Sequence, residues 1–447
     1  MGRPIRGLRA AAAALGLVAM LDATTRAADG TDFDAYRVLV RERAAAPSVI
    51  RYNSRAGRYE LLTFADLAGY FAATGTPEAR DGGAENPWFK VIFGTASGDG
   101  SSVPVATVDD LEARNVFYHL NWARRWFEAL DPASLGLEGR SIVRLSVDRA
   151  YDPVAQFSLL ACRGGPDSAC FNSQHSIRPD YRGRWGHELW FRPSHQSFDW
   201  KKFLLQLAPL AATRLSPLSL ATLPLALDRA VRDSHDRGTN GALIPSNIYH
   251  EAFHKFTQHG ELLPSSFRSH PLSEDLANYF AIAIDGKPAI NDLESFSDEH
   301  RVRSFARIPK VRPPRNRYDY NFEEFVPALL WRIRGFLPED RERSARLREL
   351  LGNEGSLDGR MLWNTGDAVV WDAIRRLPRS PATPNNPFPA PLASYHDFGV
   401  AYLEALEATT SLSAEQKSRV RGLWARYARE FAKLDDFFTY TPGTLSP

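Results

Sequence analysis

The sequence lacks a long apolar run beyond its N-terminus, a marked excess of charge of either sign, and any internal repeat. No segment after residue 27 approaches the roughly 20 consecutive apolar residues that a membrane-spanning helix requires, which excludes a transmembrane segment in the mature chain. The formal net charge is only +2. Because so small a charge gives no general attraction to phosphate groups, we expect no nucleic-acid partner.

Cysteine is almost absent. Cys162 and Cys170 are the only two, and they enclose the turn-forming residues Gly164-Gly165-Pro166. In an oxidising compartment this turn would bring the two thiols within bonding reach, so we expect a disulfide between them. Two buried free thiols are the alternative, and a cysteine nucleophile is disfavoured.

The first 27 residues are typical of a secretory signal peptide. Arg3, Arg6 and Arg9 give a basic start, residues 10–21 form an apolar run, and Thr25-Arg26-Ala27 provides a small-residue cleavage site. We therefore expect an exported protein, either secreted or periplasmic.

The length and composition indicate a folded protein of two or three domains, because the chain has 447 residues with 44% hydrophobic content. Residues 28–240 mix short apolar runs, Gly-rich turns and a helical stretch at 115–128, which predicts a mixed α/β region. Residues 241–447 are predicted to be mainly helical, with a proline-rich linker at 378–391. The expected fold class is α+β.

The most informative stretch is His250-Glu251-Ala252-Phe253-His254, which has the form H-E-x-x-H. Residues four apart on a helix stand one above the other, so both imidazoles can reach one metal ion. The carboxylate of Glu251 can then take a proton from a water that the metal activates. This pattern is typical of a zinc-dependent hydrolase, with His250 and His254 as ligands and Glu251 as general base.

The same pattern also occurs by chance, so its surroundings matter. The alternative is a helix that carries Glu251 and both histidines on its solvent-exposed face. Pro245 and Ser246 before the motif and Gly260 after it predict about three turns of helix, with Ser246 as N-cap. Apolar residues within the segment predict that this helix is held in a core, and a metal site needs such a rigid support.

A catalytic zinc ion takes three protein ligands and leaves a fourth position to water, so a third ligand is needed. Glu274 lies twenty residues after His254 and stands near the start of a second predicted helix, residues 273–281. A loop of that length lets the second helix face the first. Glu274 can therefore complete a His-His-Glu set of ligands.

Other acids and histidines near the motif are weaker candidates. His259 cannot share the helical face of His254, and Asp275 points about 100° away from Glu274 on the helix. His270 stays possible, although it lies in a predicted loop. The alternative for Glu274 itself is an acid in the first turn of a helix, where it favours the helix dipole and does nothing more.

These two segments resemble the gluzincins, the thermolysin-like branch of the zinc metallopeptidases, and especially their secreted fungalysin-like members. In that group the H-E-x-x-H motif is followed by a helix of the form E-x-x-A-D-Y-F, and residues 274–280 read E-D-L-A-N-Y-F. The resemblance implies Zn²⁺ as cofactor, Glu274 as third ligand and a zincin-like α+β fold. That fold has a mixed sheet over the metal-binding helix in the N-terminal half and a mainly helical C-terminal half.

The resemblance also assigns roles to two residues that depart from the family pattern. Asn278 stands where the family has Asp, and its amide oxygen would accept a hydrogen bond from a ligand histidine while raising the basicity of that ligand less. Residues 324–334 resemble a later active-site helix that ends in L-W-x-x-R. Relatives have a His four residues before Glu324, which donates to the tetrahedral oxyanion; Tyr320 stands there, with Tyr318 as the alternative donor.

The function that the resemblance implies is a zinc metallopeptidase acting on a peptide or protein substrate. A binding or scaffold protein that keeps the zincin fold without peptidase activity is the alternative, because Asn278 and Tyr320 both depart from the family pattern. Hydrolysis of a non-peptide amide or ester would keep the same site and change only the substrate.

Overall fold

The computed structural model describes residues 48–53, 58–65, 67–74, 83–94, 104–131, 141–145, 169–173, 187–191, 195–198, 235–238, 241–259, 270–290, 303–311, 324–351, 363–377 and 394–438. The predicted signal peptide, Cys162, the proline-rich linker, Tyr318 and Tyr320 lie outside these residues, and the backbone alone is described at Cys170. The predictions made for them therefore stay predictions.

The described chain is an α+β protein, as predicted, with long helices and several small sheets. Its strands are β1 (Ser48–Asn53), β2 (Arg58–Thr63), β3 (Phe89–Phe93), β4 (Ser141–Leu145), β5 (Ala169–Ser173), β6 (His187–Phe191), β7 (His195–Phe198), β8 (His235–Gly238), β9 (Ala289–Ile290) and β10 (Arg303–Ser304). Its helices are α1 (Leu67–Thr74), α2 (Leu111–Leu130), α3 (Pro245–His259), α4 (His270–Asp285), α5 (Phe325–Arg334), α6 (Arg341–Leu351), α7 (Thr365–Arg376), α8 (Tyr395–Ala408) and α9 (Ala414–Phe438). No helix in this part of the chain is both long and apolar enough to cross a membrane.

The chain forms two compact units. The smaller unit comprises residues 1–43, 195–238 and 292–301, and its described part is the antiparallel pair of β7 and β8. The larger unit comprises residues 44–194, 239–291 and 302–447 and contains every other element named above. The larger unit therefore contains residues from both sides of the domain boundary that the sequence predicted at residue 240.

A four-stranded mixed sheet lies in the larger unit, in the order β3-β4-β6-β5. Strands β3, β4 and β6 are parallel, and β5 pairs antiparallel with β6 at one edge. Val91, Ile92, Ile142 and Val143 in the parallel strands are fully buried. Continuous burial of this kind is expected where a sheet is covered on both faces. Strand β5 contacts helix α3, so the edge of the sheet lies beside the helix that carries the H-E-x-x-H motif.

Helix α2 forms the centre of the larger unit. Nearly all of its residues are buried, and it contacts α1, β1, β3, α3 and α6. A helix that is buried on every side must lie inside a core rather than cover one. Since α2 belongs to the predicted N-terminal region and α3 to the predicted C-terminal region, the two regions share one core.

An aromatic cluster joins α2 to the two helices of the predicted metal site. The Phe253 and Phe280 rings stack with centroids 5.1 Å apart, which fixes α3 against α4. The rings of α2 and α7 surround this pair; the cluster comprises Trp126, Phe127, Phe253, Phe256, Phe280 and Trp371. Close-packed aromatic rings resist displacement, so α3 and α4 are held as a rigid pair.

Replacing Phe280 by alanine is expected to destabilise the protein by about 3–5 kcal/mol, because a large cavity would open between four helices. Urea unfolding followed by circular dichroism measures this change. Phe93→Ala is the matched control, because the Phe93 ring is 40% exposed and its removal should change stability by no more than about 0.5 kcal/mol. Equal losses in the two variants would contradict the assignment of Phe280 to the core.

Candidate metal centre

Helix α3 begins earlier than the sequence predicted. Its first residue is Pro245, so Ser246 lies within the first turn, fully buried, and is not the N-cap. Proline suits the first helical position because its fixed φ angle is already helical and its missing N–H would have no partner there. Gly260, which the sequence predicted to follow the end of the helix, lies outside the described residues.

The two histidines of the motif face the same point. Their rings lie one helical turn apart with centroids 4.8 Å from each other, and their Nε2 atoms approach to 3.1 Å. Two unprotonated nitrogens that close would repel each other through their lone pairs. A shared cation between them removes this repulsion.

Glu274 completes the group from helix α4. Its Oε2 lies 3.0 Å from His250 Nε2, and its Oε1 lies 3.2 Å from His254 Nε2. Helices α3 and α4 pack along each other, so the second helix faces the first, as the sequence argument required. The structure thus brings together the three predicted ligands, His250, His254 and Glu274. One possible donor atom from each residue lies within 4.8 Å of the other two.

The donor set fits a tetrahedral zinc ion. Bonds of about 2.0–2.1 Å to tetrahedral zinc place neighbouring donor atoms about 3.3–3.4 Å apart. The two histidine Nε2 atoms are 3.1 Å apart, and the two oxygens of Glu274 each lie close to one of them, Oε2 at 3.0 Å from His250 and Oε1 at 3.2 Å from His254. These distances differ from the ideal edge by a few tenths of an ångström, and imidazole nitrogen with carboxylate oxygen is a ligand chemistry that zinc accepts.

Two side chains fix the orientation of the histidine rings. The Asn278 amide oxygen accepts a hydrogen bond from His250 Nδ1 at 2.8 Å, the position that the family resemblance gave to Asn278. Ser273 Oγ lies 3.3 Å from His254 Nδ1. A proton on each Nδ1 leaves the Nε2 lone pair free to bind a metal. Ser273 was not found by sequence reasoning, because nothing in its position before Glu274 indicates contact with His254.

The burial of the motif contradicts the solvent-exposed alternative. Glu251 is 7% exposed, and the His254 side chain is 7% exposed. The His250 and Glu274 side chains retain 16% and 20% exposure. A group that is buried on one side and partly open on the other fits a catalytic zinc site, in which one coordination position stays accessible.

Four other candidate residues lie near the motif in the sequence, namely Glu251, His259, His270 and Asp275. Glu251 follows His250 on the helix and is turned by about 100° from it, so it flanks the histidine face. The backbone of His259 and of His270 lies in α3 and α4, and their side chains are not described; His270 begins α4 and does not lie in a loop. Asp275 is fully buried and accepts a hydrogen bond from another helix, so it is directed away from the histidines.

Lys255 attaches α3 to the sheet. Its Nζ donates a hydrogen bond to Ser141 Oγ at 2.8 Å and lies 4.9 Å from the centre of the Phe89 ring. Burial lowers the pKa of Lys255 to about 7, because the ammonium form loses its hydration. Lys255 directly follows His254, so these contacts fix this part of helix α3 against strands β3 and β4.

His119 attaches α3 to β1. Its Nε2 lies 2.7 Å from the Ile50 carbonyl oxygen, and its Nδ1 lies 2.6 Å from the Tyr249 hydroxyl. Because a carbonyl only accepts, Nε2 carries the proton and Nδ1 accepts from Tyr249. This bond fixes the residue that precedes His250.

Acidification is expected to weaken the protein through His119. Complete burial lowers the pKa of His119 from 6.5 to about 3, although the Ile50 hydrogen bond opposes the shift. The folded state favours the neutral imidazole. The contribution of His119 to the free energy of unfolding is therefore complete above about pH 6.5 and is lost as the pH falls towards 3. At pH 5 the loss amounts to about 2 kcal/mol relative to pH 7.

His119→Gln provides the comparison, since a glutamine does not titrate in this range. Urea unfolding between pH 4 and pH 8 should show a smaller decline in stability for the variant than for the wild type. Parallel declines in the two proteins would show that other groups carry the acid sensitivity.

Neither a scan against protein-family models nor a search of curated proteins finds a match for this chain. The assignment of the site therefore depends on the residues themselves and on their geometry.

Proposed function

We propose that this chain is an exported zinc-dependent metallopeptidase of the gluzincin type. The observation that carries the proposal is the convergence of His250, His254 and Glu274 on one point, with a buried glutamate directly after the first histidine. The mixed sheet beside helix α3 and the helical C-terminal part of the larger unit support a zincin-like fold.

When bound, a zinc ion lowers the pKa of a water molecule towards 7 and polarises a carbonyl oxygen. His250 and His254 hold the ion through Nε2, and Asn278 and Ser273 keep both rings in the required tautomer. The Glu251 carboxylate accepts the proton of the attacking water and then delivers it to the departing amine. In this proposal Tyr320 donates a hydrogen bond through its hydroxyl to the oxyanion.

The position of β5 supports a peptide substrate. This strand lies at the edge of the sheet, contacts α3, and has no strand on its outer side within the part of the chain that the structure describes. An extended peptide can add to such an edge through backbone hydrogen bonds, whatever its side chains. A peptide bound in this way would pass next to the helix that carries Glu251.

The second candidate is a zincin-fold binding protein that retains zinc without turnover. The neutral Asn278 favours it, because an amide oxygen raises the basicity of His250 less than a carboxylate would. Hydrolysis of a non-peptide amide or ester is a variant of the first proposal.

The test combines metal analysis with turnover. We expect one zinc per chain in the purified protein by elemental analysis, and cleavage of casein or of a peptide library that a zinc chelator abolishes. Stoichiometric zinc without cleavage would contradict the peptidase proposal and favour the binding protein. A chain without stoichiometric metal would contradict the assignment of a zinc site.

A further inference from the structure

Helix α4 carries two pairs of residues at a spacing of four. Glu274 and Asn278 form the first pair, and both contact His250. Asp275 and Tyr279 form the second pair, which is turned by about 100° around the helix axis. Both members of the second pair are fully buried, and each makes a hydrogen bond to a different helix.

Asp275 is bonded to helix α8. Its Oδ2 accepts a hydrogen bond from the Tyr395 hydroxyl at 2.8 Å. Tyr395 is the first residue of α8, directly after the N-cap Ser394, whose capping box with Asp397 fixes the start of that helix. The donor thus comes from a well-defined point of the backbone, 120 residues away in the chain.

Tyr279 is bonded to helix α7. Its hydroxyl donates to Asp367 Oδ1 at 2.6 Å. Asp367 is itself fully buried; it pairs with Arg334 at the end of α5, and its other oxygen accepts from the backbone N–H of Asn364 at 2.8 Å. With so many partners, the Asp367 carboxylate has little freedom to move, and it forms a fixed point for Tyr279.

We propose that Tyr395 and Asp367 are positioning residues of the metal centre, which set the rotation of α4 about its own axis. The outer radius of a helix is about 5–6 Å, so a rotation of about 10° moves a carboxylate on its surface by about 1 Å. A metal site tolerates errors of only about 0.5 Å. The two bonds on the buried side of α4 therefore hold Glu274 and Asn278 in register with the histidines of α3.

This inference rests on the proposed zinc site, and it is tested with the full chain by Tyr395→Phe. The chain offers a matched control in Tyr402→Phe: Tyr402 belongs to the same helix and is fully buried, and its hydroxyl makes no hydrogen bond among the described residues. Three quantities are measured: zinc affinity by competition with a chelator, the absorption spectrum of the Co²⁺-substituted protein, and the urea midpoint of the metal-free protein.

We expect Tyr395→Phe to bind zinc about tenfold more weakly, which is the low end of the loss caused by removing a direct partner of a metal ligand, and to change the Co²⁺ spectrum. Tyr402→Phe should leave both unchanged. Tyr279→Phe removes the second bond and should act like Tyr395→Phe, so it carries the test if the first variant fails to fold. A merely structural role would shift the urea midpoint but neither the affinity of the folded protein nor the spectrum.

The outcomes separate this inference from the proposal on which it rests. Stoichiometric zinc in the wild type, together with unchanged affinity and spectrum in Tyr395→Phe and Tyr279→Phe, would overturn the positioning role alone. Absence of zinc from the wild type would overturn the zinc site and the positioning role together.

Discussion

Glu274→Ala is expected to abolish stoichiometric zinc binding. The carboxylate supplies two short contacts, one to each histidine, and it is the only charged member of the three ligands. Without it, two neutral imidazoles would remain to hold a divalent cation. Since the loss of a mere partner of a ligand costs about 10–100-fold in metal affinity, the loss of the ligand itself should cost well over 100-fold.

Chelator competition and elemental analysis measure this loss, and Glu404→Ala serves as the control. Glu404 is an exposed glutamate in helix α8, so its replacement changes the net charge by the same amount without touching the site. Zinc affinity in that variant should equal that of the wild type. If Glu274→Ala also kept its zinc, the third ligand would have to be sought elsewhere, first at His270 and among the residues outside the described ranges.

The convergence of His250, His254 and Glu274 was predictable because it depends on local regularity. A spacing of four residues places His250 above His254 on any α-helix, whatever surrounds it. Glu274 follows at a distance that lets the next helix return, and the family resemblance supplied a contact between Asn278 and one of the motif histidines, which the structure shows to be His250. The class α+β was equally accessible, since it follows from the change of hydrophobic pattern along the chain.

The supports of the site were not predictable in the same way, because each joins residues that are distant in the chain. His119 contacts Ile50 and Tyr249 across 69 and 130 residues, and no spacing rule relates such positions. The predicted N-cap at Ser246 was wrong for a local reason, because Pro245 can itself occupy the first helical position. Patterns of sequence thus predict which side chains come together, while tertiary packing decides how firmly they are held.

Glu251→Gln is expected to lower turnover by orders of magnitude while leaving zinc in place. Glutamine has the size of glutamate and can be accommodated at the same buried position, but its amide cannot accept the proton of the attacking water. General base catalysis contributes about 10²–10⁴-fold to a rate, so kcat/KM for a peptide substrate should fall by about that factor. Because Glu251 is not one of the three converging ligands, the zinc content should stay at the wild-type level.

This variant distinguishes the peptidase from the zinc-binding scaffold more sharply than metal analysis alone. A fall in kcat/KM at constant zinc content assigns Glu251 to the chemical step, and Glu404→Gln should leave both quantities at wild-type values. Cleavage that persisted within a few-fold in Glu251→Gln would transfer the role of base to another residue. If both the wild type and the variant held zinc and neither cleaved any peptide, the site would act in binding rather than in hydrolysis. The neutral Asn278 beside His250 would then be the first position at which to restore the family's carboxylate.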